Sequence, residues 1–104
     1  MEDFFKVAVR MDLRPGELML VEIENERIVL ANLDGQYYAL ADACTHADCP
    51  MSDGELNGEV LGCPCHGSEF DVRTGDVLSP PATEPLTKYA VRIDGDDILV
   101  GPSS

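Results

Sequence analysis

From Ile28 to Val72 the chain contains no lysine and no arginine, while Asp34, Asp42, Asp48, Asp53, Glu55, Glu59, Glu69 and Asp71 all fall there. Over the whole 104 residues twenty acids face seven bases, a formal net charge of −13. A surface of that sign repels phosphate, which argues against nucleic-acid and anionic-membrane partners. Two readings of the acidic stretch remain. It is a solubilising surface, or it is a docking face for a basic partner, since complementary charge speeds encounter without demanding tight binding. Long apolar runs are also missing: "IVLANL" at 28–33 is far too short to cross a bilayer. The opening "MEDFFKVAVR" begins on acids and has no basic segment followed by an apolar one, so no signal peptide is expected. These absences predict a cytoplasmic protein without membrane contact. The length predicts one domain over 1–104, burying roughly 60–70 % of its unfolded surface.

Helical periodicity is absent as well: no stretch of twelve or more residues carries it. What is present reads as strands and turns. "FFKVAVR" (4–10) alternates, and "ELMLVEIE" (17–24), "RIVLANL" (27–33) and "QYYALA" (36–41) follow in close succession. Asp34-Gly35 is a strong hairpin signal, because glycine accepts the positive φ of a type I′ turn. Asn57-Gly58 repeats the signal, and a third turn, "DGD", separates 86–93 from 97–101. Three prolines in "SPPATEP" (79–85) exclude strand interior there. The expected fold is all-β, an antiparallel sandwich or partial barrel of about nine short strands. Tyr37, Tyr38 and Tyr89 read as packing residues.

Cysteine and histidine are scarce, and all of them lie in two patches, "CTHADC" (44–49) and "CPCHG" (63–67). Both patches border strands and are flanked by turn residues, so they read as two loops that the intervening hairpin could fold together. Candidate ligands are Cys44 and His46 in the first and Cys63 and His66 in the second. Four chemistries fit such residues in different degrees. A disulfide framework would leave the histidines to coincidence and sits poorly in a cytosolic chain. A structural zinc site fits the ligand types, although zinc knuckles usually begin with a closely spaced cysteine pair. A Cys–His nucleophile is conceivable, but no oxyanion-hole motif accompanies it. A 2Fe–2S cluster would place two thiolates on one iron and two imidazoles on the other.

The two patches resemble the halves of the Rieske motif, C-x-H and C-x2-H, in ligand order, interval and the trailing Gly67. The strand pattern and the later "SPPA", similar to the family's proline loop, extend the resemblance over nearly the whole chain. It implies a Rieske-like all-β fold with a small cluster-binding subdomain, having cluster loops at about 43–51 and 62–70 and a proline loop at about 79–83. It also implies one Rieske 2Fe–2S cluster per chain, held by Cys44, His46, Cys63 and His66. Ferric iron, sulfide and thiolate charges in such a centre sum to zero. Adding an electron is therefore easier than in a four-cysteine cluster, giving potentials of roughly −150 to +300 mV against about −400 mV for plant-type centres.

The remaining cysteines match positions that form a disulfide in the members found in cytochrome bc-type complexes, so a Cys49–Cys65 bridge is implied. Ser68 matches the serine whose hydroxyl donates to a cluster sulfide in high-potential members, which raises the potential. Phe70 stands where those members carry a hydrogen-bonding tyrosine, and Ala47 where the respiratory ones carry a shielding leucine. An intermediate potential is the expectation. Ala47, Met51, Pro80 and Pro81 are expected to cover the cluster, with Ala47, Met51 and Pro81 at apolar loop tips.

With every cysteine and histidine committed to one site, none is left for substrate chemistry, so the chain is expected not to be an enzyme. The resemblance implies a soluble one-electron carrier, a monomer or weak oligomer, that passes electrons from a flavoprotein reductase to a terminal oxygenase or other redox enzyme with a basic docking face. Two alternatives stand beside it: a fixed small subunit of an oxidoreductase such as a nitrite reductase, and a zinc-stabilised module without redox function.

Overall fold

The structure is a computed structural model that describes residues 3–44, 49–65 and 67–103. His46, Ala47 and His66 lie outside the described residues. Among those described, the chain is all-β apart from two three-residue 3-10 turns, Arg10–Asp12 and Met51–Asp53. No described helix is long and apolar enough to cross a membrane.

Ten strands form two antiparallel sheets. They run β1 Phe5–Val9, β2 Leu18–Ile23, β3 Glu26–Leu33, β4 Gln36–Ala41, β5 Glu55–Asn57, β6 Val60–Gly62, β7 Glu69–Asp71, β8 Val77–Ser79, β9 Lys88–Asp94 and β10 Asp97–Ser103. The larger sheet has the order β1-β10-β9-β4-β3-β2, and the smaller has β5-β6-β7-β8. The larger sheet curls until its edges, β1 and β2, face each other, making an almost closed barrel. The smaller sheet is inserted between β4 and β9, which pair through Ala39↔Tyr89 and Leu40↔Lys88. Residues 42–87 thus leave the larger sheet and return beside the point of departure, and both Cys/His loops belong to this excursion.

The turn chemistry explains the hairpins. Asp34 and Gly35 both adopt positive φ (51° and 92°), which joins β3 to β4 in the expected register. Between β2 and β3 the two turn residues are Glu24 and Asn25, at φ 49° and 69°, so the turn sits one residue earlier than the gap, Asn25-Glu26, that the expected strands 17–24 and 27–33 leave between them. The hairpin between the loops is likewise displaced by one residue. Asn57 ends β5 and pairs with Val60, leaving Gly58 and Glu59 as the turn, with Gly58 at φ 59°. Glu69–Asp71 and Val77–Ser79, not foreseen as strands, are each three residues long, too short to display alternation.

Strand β3 shows why "IVLANL" is apolar without interruption up to Asn32. Ile28 to Asn32 are all buried, and alternate side chains enter different cores. Ile28 and Leu30 join Leu13, Ala39, Ile98 and Val100 inside the curled sheet. Val29 and Ala31 face the other way, onto Leu40, Leu61, Phe70, Val72 and Leu86 beneath the smaller sheet. A strand covered on both faces reads as a continuous run rather than an alternation. Asn32 is tolerated because its Nδ2 donates to the Leu13 carbonyl at 2.9 Å and its Oδ1 accepts the Gly35 N–H at 2.7 Å. Tyr89 is buried, and Tyr37 and Tyr38 pack at the core margins.

Candidate metal centre

Cys44 leaves the end of β4 and Cys63 follows β6; both are buried in the core beneath the smaller sheet, and neither belongs to a disulfide. The two loops are closed in the same way. The Cys44 N–H donates to the Cys49 carbonyl at 2.9 Å, and the Cys63 N–H donates to the Ser68 carbonyl at 2.7 Å. Each thiol therefore sits at the base of a loop whose end, five residues on, is tied back to its own amide. An Ala43↔Pro50 bridge extends the first closure.

A disulfide joins Cys49 to Cys65, with Cα atoms 6.3 Å apart, and links the two loops directly. Cys65 and its neighbour Pro64 are exposed, Cys49 partly buried. The bridge implied by the resemblance is thus present in the structure, outside the pair of buried thiols.

Ser68 is fully buried, and its Oγ accepts the Ala82 N–H at 3.0 Å. The second loop is thereby fastened to the proline loop, in which Pro80 and Pro81 are exposed, joined by a cis peptide bond, and Ala82 is buried. A hydroxyl has one proton and two lone pairs. With a lone pair given to Ala82, the proton of Ser68 has no acceptor among the described residues. Phe70 is buried against Leu61 and Val72.

Two expectations need correction. Met51 is not at an exposed loop tip: it is fully buried, because the 3-10 turn after Pro50 swings it into the core beside Cys44 and Leu61. Asp42, grouped with the acidic surface, is 1 % exposed. Its Oδ1 accepts the Ser52 N–H at 2.8 Å and its Oδ2 lies 3.5 Å from Arg27 Nη2. No sequence pattern marks it as different from its exposed neighbours. Asp34, Asp53, Glu55, Glu59 and Glu69 are exposed, as the acidic surface requires.

Arg73, the first cation after the acidic stretch, is occupied by carboxylates. It makes two side-chain hydrogen bonds to Asp71, at 3.0 and 3.2 Å, and reaches Glu59 at 3.5 Å. The Arg73 side-chain hydrogen bond holds the Asp71 carboxyl below its usual range, and the same bond raises the guanidinium. Burial pushes the Tyr89 phenol upward.

Among the described residues no three Cys, His, Asp or Glu side chains converge as a metal site, since both imidazoles lie outside them. The donor chemistry nevertheless suits an iron–sulfur group. Two buried thiols remain outside the disulfide, on loops tied to each other, and each loop carries one histidine in sequence.

Residues 3–90 match the model of the Rieske [2Fe-2S] domain, and the chain belongs to that family, whose domain implies a 2Fe–2S cluster. Its relatives narrow the kinship. The chain is 41 % identical over 98 residues to the biphenyl dioxygenase ferredoxin subunit of Pseudomonas sp. (strain KKS102), covering 93 % of this chain and 90 % of that one. It superposes with a TM-score of 0.92 and 30 % identity on the ferredoxin of carbazole 1,9a-dioxygenase from Nocardioides aromaticivorans IC177, over 97 % of this chain and 99 % of that one. A chain from the complex of reduced oxygenase and oxidized ferredoxin in carbazole 1,9a-dioxygenase matches with a TM-score of 0.94 and 31 % identity, over 100 % and 98 %.

Proposed function

We propose that the protein is a one-domain, freely diffusing cytoplasmic ferredoxin that carries single electrons from a flavoprotein reductase to a terminal oxygenase. The observation that carries the reading is the pair of buried thiols, Cys44 and Cys63, at the bases of two loops clamped by Cys49–Cys65. Cys44 and Cys63 would hold one iron and His46 and His66 the other, in one 2Fe–2S cluster per chain. Such a cluster, when bound, accepts and releases one electron at a potential raised by its neutral imidazole ligands. The chain's own residues do the rest. The loop-closing amides and the disulfide hold the donor atoms in place before and after the electron arrives. Ser68, anchored by Ala82, offers its proton to the side of the site where negative charge grows, which favours the reduced state.

Docking is supported by what surrounds the loops. Pro64 in the second loop and Pro80 and Pro81 beside Ala82 are exposed, and Glu55 and Glu69, which flank Gly62 in the smaller sheet just before Cys63, are exposed acids. Exposed prolines with carboxylates at the loop end of the sheet fit a partner with a basic rim, met quickly and released easily.

The test is to reduce the protein and mix it in a stopped-flow instrument with the oxidised oxygenase component of biphenyl dioxygenase. The expected result is reoxidation of the carrier, slowing as ionic strength rises, because screening weakens the charged encounter. Absence of transfer together with a stoichiometric co-purifying subunit would overturn the free-carrier reading in favour of a fixed component. Colourless protein with zinc in place of iron would overturn the redox reading altogether.

A further inference from the structure

Asp42 ties together three segments through four interactions. Its main-chain N–H donates to the Arg27 carbonyl in β3 at 3.0 Å, and its carbonyl accepts the Met51 N–H at 2.6 Å. Its carboxylate accepts the Ser52 N–H and faces the Arg27 guanidinium. The residue stands two positions before Cys44, so it fastens both the entry and the exit of the first loop to the larger sheet. The hydrogen bond to Ser52 does not require a charge, since an amide oxygen would also accept it, though less strongly. Burying a carboxylate is costly unless it is paired. The cation provided is a side chain still 55 % exposed, while that of Asp42 is 2 % exposed. Water therefore weakens the field of the arginine more than that of the aspartate. Arg27 is also the last cation before the stretch 28–72, and Arg73, the first after it, is taken up by Asp71 and Glu59.

We propose that Asp42 and Arg27 act as a positioning and tuning pair for the centre, the buried carboxylate lowering its reduction potential and the guanidinium partly restoring it. The inference rests on the reading of Cys44 as an iron ligand. Reduction adds one negative charge to the site. A fixed negative charge held behind the first loop opposes that charge, and a fixed positive one favours it. Whereas Ser68 acts by hydrogen bonding, this pair acts through space and through the set of the loop.

The experiment compares the midpoint potentials of cluster-loaded wild type, Asp42→Asn and Arg27→Gln by protein-film voltammetry, with the visible circular dichroism of the cluster and the iron content recorded for each. Asp42→Asn keeps the Ser52 acceptor and is expected to shift the potential upward. Arg27→Gln, at a half-exposed side chain that the fold tolerates losing, is expected to shift it downward, by less at high salt. Opposite shifts with an unchanged cluster spectrum support the pair. Unmoved potentials in both variants, or shifts in the same direction, overturn it, since loosening of the loop would not reverse sign with charge. If Asp42→Asn fails to hold a cluster, Arg27→Gln alone decides by the sign of its shift. A wild type without iron would instead remove the ligand reading, and this proposal with it.

Discussion

Ser68 anchors Ala82 and is proposed also to tune the cluster, and its replacement by alanine reads both. The Oγ of Ser68 accepts the Ala82 N–H at 3.0 Å, with Ser68 0 % and Ala82 3 % exposed. Removing the oxygen leaves a buried amide donor without its partner, which typically costs about 1–3 kcal/mol. Taking about 2 kcal/mol, and about 4–8 °C per kcal/mol for a domain near this size, the melting temperature should fall by about 10 °C. The same substitution removes the proton that Ser68 is proposed to donate toward the cluster, so the midpoint potential should fall as well. Thermal unfolding of the cluster-loaded protein, followed by far-ultraviolet circular dichroism at a fixed scan rate, measures the first effect, and voltammetry measures the second. A melting temperature within about 2 °C of wild type would refute the anchoring of the proline loop, because even the lower bound of the cost exceeds that change. A lower melting temperature with an unmoved potential would leave the anchor standing and refute the tuning.

The disulfide closes a loop over a sequence separation of 16, for which chain entropy gives about 3 kcal/mol. The Cys49→Ser/Cys65→Ser double variant should unfold at correspondingly lower denaturant and lose its cluster faster on dilution into chelator; equal loss rates would contradict the clamp. Gly75 sits at φ 85° with Leu86 O in the way of any Cβ, and its carbonyl accepts the Leu86 N–H at 2.8 Å. Gly75→Ala should therefore destabilise by about 3 kcal/mol from left-handed strain and the displaced hydrogen bond, read in urea unfolding. Arg73→Ala should lower stability at neutral pH by a pH-dependent amount. The Asp71 pKa is depressed in the fold, so its contribution is present above the unfolded value of about 3.9 and is lost as pH falls through the folded one. The difference between wild type and variant should thus close in acid, and a difference that persists there would exclude the Asp71 pairing as its source.

How much of this was legible in the sequence follows from the range of the interactions. Local turn chemistry was readable at Asp34-Gly35, where both residues take positive φ, and it misled by one residue at Glu24-Asn25, because nothing in a glutamate announces a left-handed conformation. The all-β class came through because the strands β1 to β4 and β9 to β10 are long enough to carry a pattern. Pairings such as β4 with β9 and β1 with β10 join distant segments and leave no local trace. At the site, the spacing of the two patches singled out Cys44 and Cys63, which the structure buries, while the Cys49–Cys65 pairing was implied by the family resemblance alone. The burial of Met51 and Asp42 was not, since a lone methionine after proline and one aspartate among many show no periodicity. The Ser68–Ala82 bond, across fourteen residues, depends on the return of the proline loop and could be found only in three dimensions.

The most direct test of the central claim is electron–nuclear double resonance on the dithionite-reduced protein, prepared once with natural nitrogen and once with 15N-labelled histidine. The chain has two histidines, His46 and His66. The expected result is a 2Fe–2S signal with strong couplings from two imidazole nitrogens, both changing with the histidine label. A reduced cluster without histidine coupling, or a protein holding zinc and giving no signal, would contradict it.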